Sequence, residues 1–250
     1  MLSVGLIGFG AIGKDVLSYI GKGKAGSVQV NGILVNSAEK HLAAGAPKEL
    51  ITDDTERFFN RDYDFIIESA GHGAVRQFAE KALIGGSHFI TVSVGAFTDE
   101  ELYERITAAA ESCGRKLIMP SAAIGGLDRI AAAALSELDE VTLVTRKPPA
   151  AWRGTIAEEK VNLDTISDAA VIYEGTARES AKMFPKSTNV SAALSLSGIG
   201  FDRTKVKVLV DPSVKRNTHQ IIAKGFFGEV TFEIQNKVLR DYSPPVVIGV

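Results

Sequence analysis

The stretch Val4-Gly5-Leu6-Ile7-Gly8-Phe9-Gly10-Ala11-Ile12-Gly13 decides the fold class of this chain. It is an apolar run that leads into Gly-x-Gly-x-x-Gly, and apolar residues then recur at helical spacing up to Ile20. Glycine allows a buried strand to turn tightly into a helix, and it lets the backbone approach a pyrophosphate bound by the helix N-terminus. Because the glycines lie between a strand pattern and a helix pattern, they predict a dinucleotide site. The residues predicted to contact the cofactor here are Gly8, Gly10, Ala11, Ile12 and Gly13.

The composition is that of an ordinary globular protein, and it argues against several other classes. The chain has 250 residues, of which 45% are hydrophobic and 23% charged, and its formal net charge is −2. Without a basic tract we expect no nucleic-acid partner. Without an apolar run of about 18 residues we expect no membrane span and a cytoplasmic location. No metal-ligand spacing is visible, so no metal is expected. Cys113, the single cysteine, falls late in a helical pattern and is interpreted as a buried structural thiol.

Strand and helix patterns alternate over the first 120 residues. This alternation predicts right-handed crossovers and a parallel sheet covered on both faces, so the fold class is α/β with a Rossmann-type dinucleotide-binding domain over residues 1–120. A capping box formed by Thr98 and Glu101 predicts the start of one helix. The strand candidates are Leu2–Gly8, Ser27–Val35, Asp64–Glu68, His88–Val94 and Lys116–Met119.

The pattern changes near residues 119–123. A strand candidate at Val141–Arg146 is followed, after two helical patterns, by three strand candidates in succession. Consecutive strands pair antiparallel, which predicts a second α+β domain over residues 121–240 with a mainly antiparallel open sheet. The apolar ending, residues 241–250, is expected to be buried, with the first domain as the candidate surface. The three late strand candidates are Lys205–Val210, Gln220–Gly225 and Glu229–Gln235.

The adenosine end of the predicted site bears on the choice of cofactor. In dinucleotide folds, an acidic residue about 20 positions beyond the glycines usually binds the ribose 2′-hydroxyl. Here Asn36 and Ser37 occupy that region, and neither repels a 2′-phosphate, so NAD and NADP are both expected as cofactors. Lys40 and His41 follow closely and either meet the phosphate or are simply solvated.

Small residues follow several strands at the edge where ligands of parallel sheets bind. Segments 68–73, 93–96 and 121–126 are of this kind, and each is either a nicotinamide contact or a plain turn. Ser69 and Ala70 are the cofactor candidates in the first of them. His72 is interpreted as a residue that caps a helix rather than as a catalyst.

Of the four histidines, only His219 falls in the second domain. It is predicted to lie at a turn before a strand, where it could face a cofactor held by the first domain. A histidine pKa near 6.5 suits proton transfer at neutral pH. From the residues alone, it stays open whether His219 is instead an ordinary surface or core residue without a catalytic role.

Five motifs make the chain resemble the L-aspartate dehydrogenases over nearly its whole length. The resemblance implies that Ala123 and Asn189 contact NAD and that His219 is the catalytic histidine. It also implies NAD(P)-dependent oxidation of L-aspartate to iminoaspartate, which either hydrolyses to oxaloacetate and ammonia or feeds NAD biosynthesis. Reductive amination in the reverse direction and a homodimer are implied as well. The chain departs from the family pattern at Ala122, where a glycine is expected. The motifs are Gly8–Gly13, Pro120–Asp128, Arg146–Pro149, Phe184–Val190 and Asn217–His219.

A dicarboxylate substrate needs cationic or N–H-rich partners. Arg146 and Lys147 are candidates for a carboxylate clamp because a stiff Pro-Pro follows them. Lys186 and Ser187, at a predicted helix start, form a second candidate. Each of these can also be ordinary surface charge. Two other readings stay open: another Rossmann reductase, such as a dihydrodipicolinate reductase or homoserine dehydrogenase relative, and a non-catalytic NAD(P)-sensing module with no need of His219.

Overall fold

The structure, a computed structural model, describes residues 1–184 and 188–236. By their contacts these residues divide into two units, the first from Met1 to Ala122 and the second beginning at Ala123. Each unit is built on one sheet. The expected burial of residues 241–250 concerns a segment outside the described residues.

The first unit contains six strands and five helices among the described residues. The strands are β1 Leu2–Ile7, β2 Val28–Leu34, β3 Ile51–Thr52, β4 Phe65–Glu68, β5 His88–Thr91 and β6 Leu117–Ile118. The helices are α1 Ala11–Gly21, α2 Ala38–Ala43, α3 Thr55–Phe59, α4 His72–Ile84 and α5 Glu100–Ser112. The strand order is β3-β2-β1-β4-β5-β6 with every adjacent pair parallel, which is the order of dinucleotide-binding folds. The predicted Rossmann-type sheet is confirmed, with β3 as an addition too short for its pattern to predict.

The core of the first unit explains why its strands read as continuous apolar runs. Val4 and Leu6 of β1 are buried in one cluster with Val30 and Ile33 of β2 and Ile67 of β4. Both faces of a parallel sheet are covered, so its strands lose the alternation of apolar and polar residues. Each such side chain contributes about 1.5–3 kcal/mol when it is fully buried.

Two local predictions in the first unit are wrong. The cap of α5 is Asp99, whose carboxylate accepts from the Leu102 N–H at 3.2 Å. Thr98 is unsuited to that role because it ends a 3₁₀ turn, Val94–Thr98, and its hydroxyl donates to the carbonyl of Gly95 at 2.9 Å. Cys113 is exposed rather than buried, because it is the residue at which α5 ends.

The second unit is a mixed sheet with helices. Its strands are β7 Leu138–Lys147, β8 Ala170–Thr176, β9 Lys205–Val210, β10 Asn217–Gly225 and β11 Gly228–Asn236. Its helices are α6 Leu127–Ala134, α7 Ala157–Lys160, α8 Ala177–Met183 and α9 Thr188–Ser197, and a 3₁₀ turn covers Pro149–Trp152. The strand order is β11-β10-β7-β9-β8; β7 and β9 are parallel, and the other adjacent pairs are antiparallel. The predicted mainly antiparallel sheet is confirmed.

One face of this second sheet is lined by alternate residues of β7 and β10. Helices α6 and α9 lie on this face: a Cβ on Gly198, just after α9, would be 3.3 Å from Ile130 of α6 and 3.5 Å from Val141 of β7. The face is apolar in its middle and becomes polar toward the C-terminal end of β7. The cross-strand pairs along it are Val141–Ala223, Leu143–Ile221 and Thr145–His219.

Candidate active site

The glycine turn joins β1 to α1 through close backbone contacts. Gly8 adopts a φ of +95°, and a Cβ there would lie 2.9 Å from backbone atoms of Ala70. A Cβ on Gly13 would collide with the carbonyl oxygen of Gly8. A Cβ on Gly10, in contrast, would meet nothing within 4 Å. The protein itself therefore excludes side chains at Gly8 and Gly13, whereas the space beside Gly10 is open.

The open space beside Gly10 adjoins the N-terminus of α1. Gly10 is the N-cap, no side chain of the described residues caps the helix, and its first turn carries no acidic residue. The N–H groups of Ala11, Ile12 and Gly13 are the first donors of the helix, at the positive end of its dipole. An anionic pyrophosphate fits a place with open space and donors that have no side-chain cap.

A cleft of about 560 Å³ opens at the carboxyl ends of β1, β2 and β4. The strand order reverses between β1 and β4, which is where ligands of open parallel sheets bind. Phe9, His41 and Asp53 also line the cleft. The structure thus brings together five of the predicted cofactor residues, namely Gly8, Gly10, Asn36, Ser69 and Ala70.

Glu68 is fully buried at the end of β4 and ties two loops together. Its carboxylate accepts from the backbone N–H groups of Ala70 and Gly71 at 2.6 and 2.7 Å. It also accepts from the hydroxyls of Thr91 and Ser93 at 2.5 and 3.1 Å. A buried carboxylate is costly unless it is hydrogen-bonded, and here four donors satisfy it. Glu68 therefore fixes the segments after β4 and β5, and a carboxylate at the end of a buried strand is the sequence signal that points to it.

His219 lies inside β10 rather than at a turn before it. The predicted strand begins at Gln220, after three polar residues. In the structure the strand begins at Asn217, and the side chains of Thr218 and His219 are both buried, at 5% exposure each. The prediction was wrong because pairing with two neighbouring strands, rather than local hydrophobicity, extends β10.

The imidazole of His219 has a defined partner and an unusual pKa. Its Nδ1 lies 3.1 Å from the Oγ1 of Thr145, the residue opposite it on β7. Burial lowers the pKa of His219 to about 4, and the positive charge of Lys147 acts in the same direction. The ring is therefore neutral at pH 7, and a neutral imidazole can accept a proton.

Lys147 and Arg146 lie on opposite faces of β7, because successive residues of a strand alternate. Lys147 shares the face of Thr145, and its ammonium nitrogen is 4.8 Å from the centre of the Trp152 ring. Arg146 lies opposite Thr218 on the other face, with its Nε buried and without a hydrogen-bond partner among the described residues. The structure thus brings Lys147, but not Arg146, to the face that carries His219.

Asn217 is on the same face as His219, two positions earlier on β10. Its Oδ1 is buried and has no hydrogen-bond partner among residues 1–184 and 188–236. A buried acceptor without a donor costs about 1–3 kcal/mol, so this oxygen suits a donor on a ligand. In the sequence, Asn217 stands out only as the first residue of the last motif, and no local signal marks its amide oxygen as a binding group.

The remaining predicted site residues are not among the described residues that line the cleft of the first unit. The carbonyl of Ala123, at the start of the second unit, accepts from Nδ2 of Asn236 at 2.9 Å. Asn189 is the second residue of α9. Lys186 and Ser187 lie outside the described residues. Within the described ranges no cluster of three or more metal-ligating side chains occurs, and no helix is long and apolar enough to cross a membrane.

The fold and the site define a Rossmann-type oxidoreductase with a second, α+β unit. Residues 8–120 match the family model described as "Homoserine dehydrogenase, NAD binding domain". Residues 128–246 match the model described as "Aspartate dehydrogenase, C-terminal". Together the two matches extend over most of the chain.

Individual relatives narrow the comparison. The L-aspartate dehydrogenase of Cupriavidus necator is 38% identical over 96% of this chain and 90% of its own length. That of Methanosarcina barkeri is 38% identical over 94% and 88%. The crystal structure of aspartate dehydrogenase from Thermotoga maritima matches with a TM-score of 0.78 at 25% identity, covering 94% of this chain and 90% of that one. A hyperthermophilic archaeal homoserine dehydrogenase in complex with NADPH shares the fold, with a TM-score of 0.63 at 12% identity over 96% and 93%.

The chain belongs to the L-aspartate dehydrogenase family. This membership identifies an enzyme rather than the non-catalytic sensing module that the sequence left open. Its cofactor is NAD or NADP, and the open space beside Gly10 fits the pyrophosphate of either dinucleotide.

Proposed function

We propose that this protein catalyses the NAD(P)-dependent oxidative deamination of L-aspartate to iminoaspartate, and the reductive amination in reverse. Iminoaspartate hydrolyses to oxaloacetate and ammonia or feeds NAD biosynthesis. The observation that carries the proposal is the neutral, buried His219 beside the charge of Lys147, in a chain of this family. When bound, the nicotinamide accepts a hydride from Cα of the substrate.

Lys147 is the proposed partner of a substrate carboxylate. Burial is the larger cause of the low pKa of His219, and the charge of Lys147 is the smaller one. A carboxylate placed against the ammonium offsets that charge, so substrate binding raises the pKa of His219 by removing this smaller part of the shift, while the part caused by burial remains. The imidazole then becomes a stronger base at the moment when a substrate is present.

His219 is the proposed proton acceptor for the amine or for an attacking water. Thr145 holds Nδ1 and so orients the ring, which leaves Nε2 for the exchange of the proton. The unpartnered Oδ1 of Asn217 is suited to accept a hydrogen bond from the substrate amine. Arg146 is left out of this proposal because it projects from the other face of β7.

The cofactor is proposed to lie along the first unit, in a domain of residues 1–120, with the substrate held by residues 121–240. Asn36 meets the adenosine ribose, and Ala123 and Asn189 approach the nicotinamide. We further propose a cytoplasmic homodimer, for which light scattering should give twice the chain mass of 26.6 kDa. The residues proposed to hold the pyrophosphate and its surroundings are Gly8, Gly10, Ala11, Ile12, Gly13, Ser69 and Ala70.

Substrate preference and one histidine test the proposal. NADH formation should be faster with L-aspartate than with L-homoserine, L-glutamate or L-alanine. His219→Ala should lower turnover by about 10² or more, the usual contribution of an acid–base group. Binding of NADH, followed by its fluorescence, should persist in that variant. His88→Ala, a first-unit histidine whose Nδ1 accepts from the Lys116 N–H, is the control and should keep its turnover. Equal rates with all four amino acids, or full activity without His219, would contradict the proposal.

A further inference from the structure

Asp53 places a carboxylate in the cleft, whereas the spacing from the glycines points only to the amide of Asn36. It follows β3, and β3 pairs with the end of β2, with Ile33 opposite Ile51 and Leu34 opposite Thr52. The Val35 N–H also donates to the carbonyl of Thr52 at 2.9 Å. This register sets Asp53 beside the residues that follow β2, which is the region where dinucleotide folds bind the adenosine ribose.

The carboxylate of Asp53 is fixed in this position by a hydrogen bond. Its Oδ2 accepts from the backbone N–H of Ala38 at 2.9 Å, just beyond Asn36 and Ser37. Asp53, Asn36 and His41 all line the cleft, and Asp53 is the only acidic residue among its described lining. A negative charge therefore lies within a few residues of the predicted ribose contact.

The same contacts remove donors that a 2′-phosphate would need. The N–H of Ala38 already donates to Asp53, and the N–H of Lys40 donates to the hydroxyl of Ser37 at 3.4 Å. A 2′-phosphate brings close to two negative charges. Placed here it would meet a carboxylate and two backbone donors that are already engaged, whereas a 2′-hydroxyl could donate to the carboxylate.

We propose that Asp53 is the residue that discriminates NAD from NADP, so that the protein prefers NAD. The proposal rests on the proposed use of this cleft for the adenosine ribose. It assigns to the residue after β3 the role that an acidic residue after β2 has in other dinucleotide folds. The Lys40 cation, which would favour a 2′-phosphate, is on this view outweighed by the fixed charge of Asp53.

Binding of NADH and NADPH to the full chain, followed by nicotinamide fluorescence, tests the proposal without any amino-acid substrate. The readout is the ratio of the two dissociation constants. Wild-type protein should bind NADPH about tenfold more weakly than NADH, a difference of about 1.4 kcal/mol. Asp53→Asn keeps an oxygen for the Ala38 N–H but removes the charge, and it should shift the ratio about tenfold toward NADPH.

Asp54→Asn is the matched control. Asp54 is the next residue and carries the same charge, but it caps α3 by accepting from the Arg57 N–H at 3.0 Å, and it does not line the cleft. The ratio of the NADPH and NADH dissociation constants of this variant should remain that of the wild type. An unchanged ratio in Asp53→Asn, or an equal shift in both variants, would overturn the proposal.

Ionic strength gives a second measurement that needs no variant. Salt screens both the repulsion of a 2′-phosphate by Asp53 and its attraction to Lys40, and these two effects change the NADPH affinity in opposite directions. On raising NaCl, the NADPH affinity should improve relative to that of NADH if repulsion dominates, and a relative loss would overturn the proposal. If both dinucleotides bind with the expected ratio but L-aspartate is not oxidised, the proposed reaction fails and the assignment of Asp53 stands.

Discussion

The depressed pKa of His219 makes the stability of the second unit depend on pH. Burial and Lys147 lower the pKa of the folded imidazole to about 4, whereas an unfolded histidine titrates near 6.5. Between these two values the unfolded chain binds a proton that the folded protein does not. The folded state is therefore fully favoured above the unfolded pKa, and this contribution is lost as the pH falls from about 6.5 to about 4.

The size of the effect follows from the two pKa values. Relative to pH 7, protonation of the unfolded His219 lowers the free energy of unfolding by about 2 kcal/mol at pH 5 and about 3 kcal/mol at pH 4. His219→Gln removes the titrating group and retains a polar side chain that can meet the hydroxyl of Thr145. All other acid-titrating groups are shared, so the difference between the two proteins isolates His219.

Urea unfolding at pH 7, 5 and 4 measures this difference. The chain has one tryptophan, Trp152, which is buried in the second unit, so its fluorescence reports the unfolding of that unit. The advantage of wild type over the variant should shrink by about 3 kcal/mol between pH 7 and pH 4. With four histidines in the chain, the NMR titration of the wild-type rings can be resolved as an independent check. A difference that stays constant with pH, or a His219 ring that titrates near 6.5, would refute the reasoning.

Three further substitutions probe the first unit. Glu68→Gln should lower the free energy of unfolding by about 3 kcal/mol and weaken NADH binding, because a carboxamide cannot accept from all four donors. The control, Glu56→Gln, loses only an exposed ion pair with Lys81 and should lower the free energy of unfolding by less than 1 kcal/mol in the same urea titration. Ala122 has a φ of +49°, so Ala122→Gly should raise the free energy of unfolding by about 1 kcal/mol, whereas the control Ala123→Gly should not. Equal effects of the two variants in calorimetry would count against backbone strain at residue 122. Asn36→Asp should lower the kcat/KM ratio of NADP to NAD, and an unchanged ratio would remove Asn36 from the ribose site.

Local signals were enough to predict the parallel sheet and the glycine turn of the first unit. The glycine turn from β1 to α1 depends on residues within one short stretch, because turn geometry and helix periodicity are encoded locally. Ala122 is a similar case: a glycine is expected there from the family pattern, and the structure gives that residue the backbone conformation that glycine favours.

Features that depend on partners distant in the chain could not be predicted. His219 and Thr145 are 74 residues apart, and their pairing is what buries a polar segment that looks like a turn. The carboxylate of Glu68 is satisfied by hydroxyls 23 and 25 residues away. Asp53 reaches the Ala38 N–H across 15 residues because β3 pairs with β2. In each case strand pairing, which periodicity does not encode, brings the groups together.

The proposed site has to hold a substrate with two carboxylates and also keep a base unprotonated, and these needs conflict in an exposed site. A carboxylate beside an exposed histidine favours the imidazolium, which has no free lone pair to accept a proton. Burial of His219 and the charge of Lys147 counter this tendency, so the ring is neutral and able to accept a proton when the substrate arrives. In the proposed mechanism the same lysine is the partner of the substrate carboxylate, and the offset of its charge makes His219 more basic when substrate is bound. Because strand alternation gives Lys147 this position and denies it to Arg146, one register of β7 decides which cation can perform both tasks.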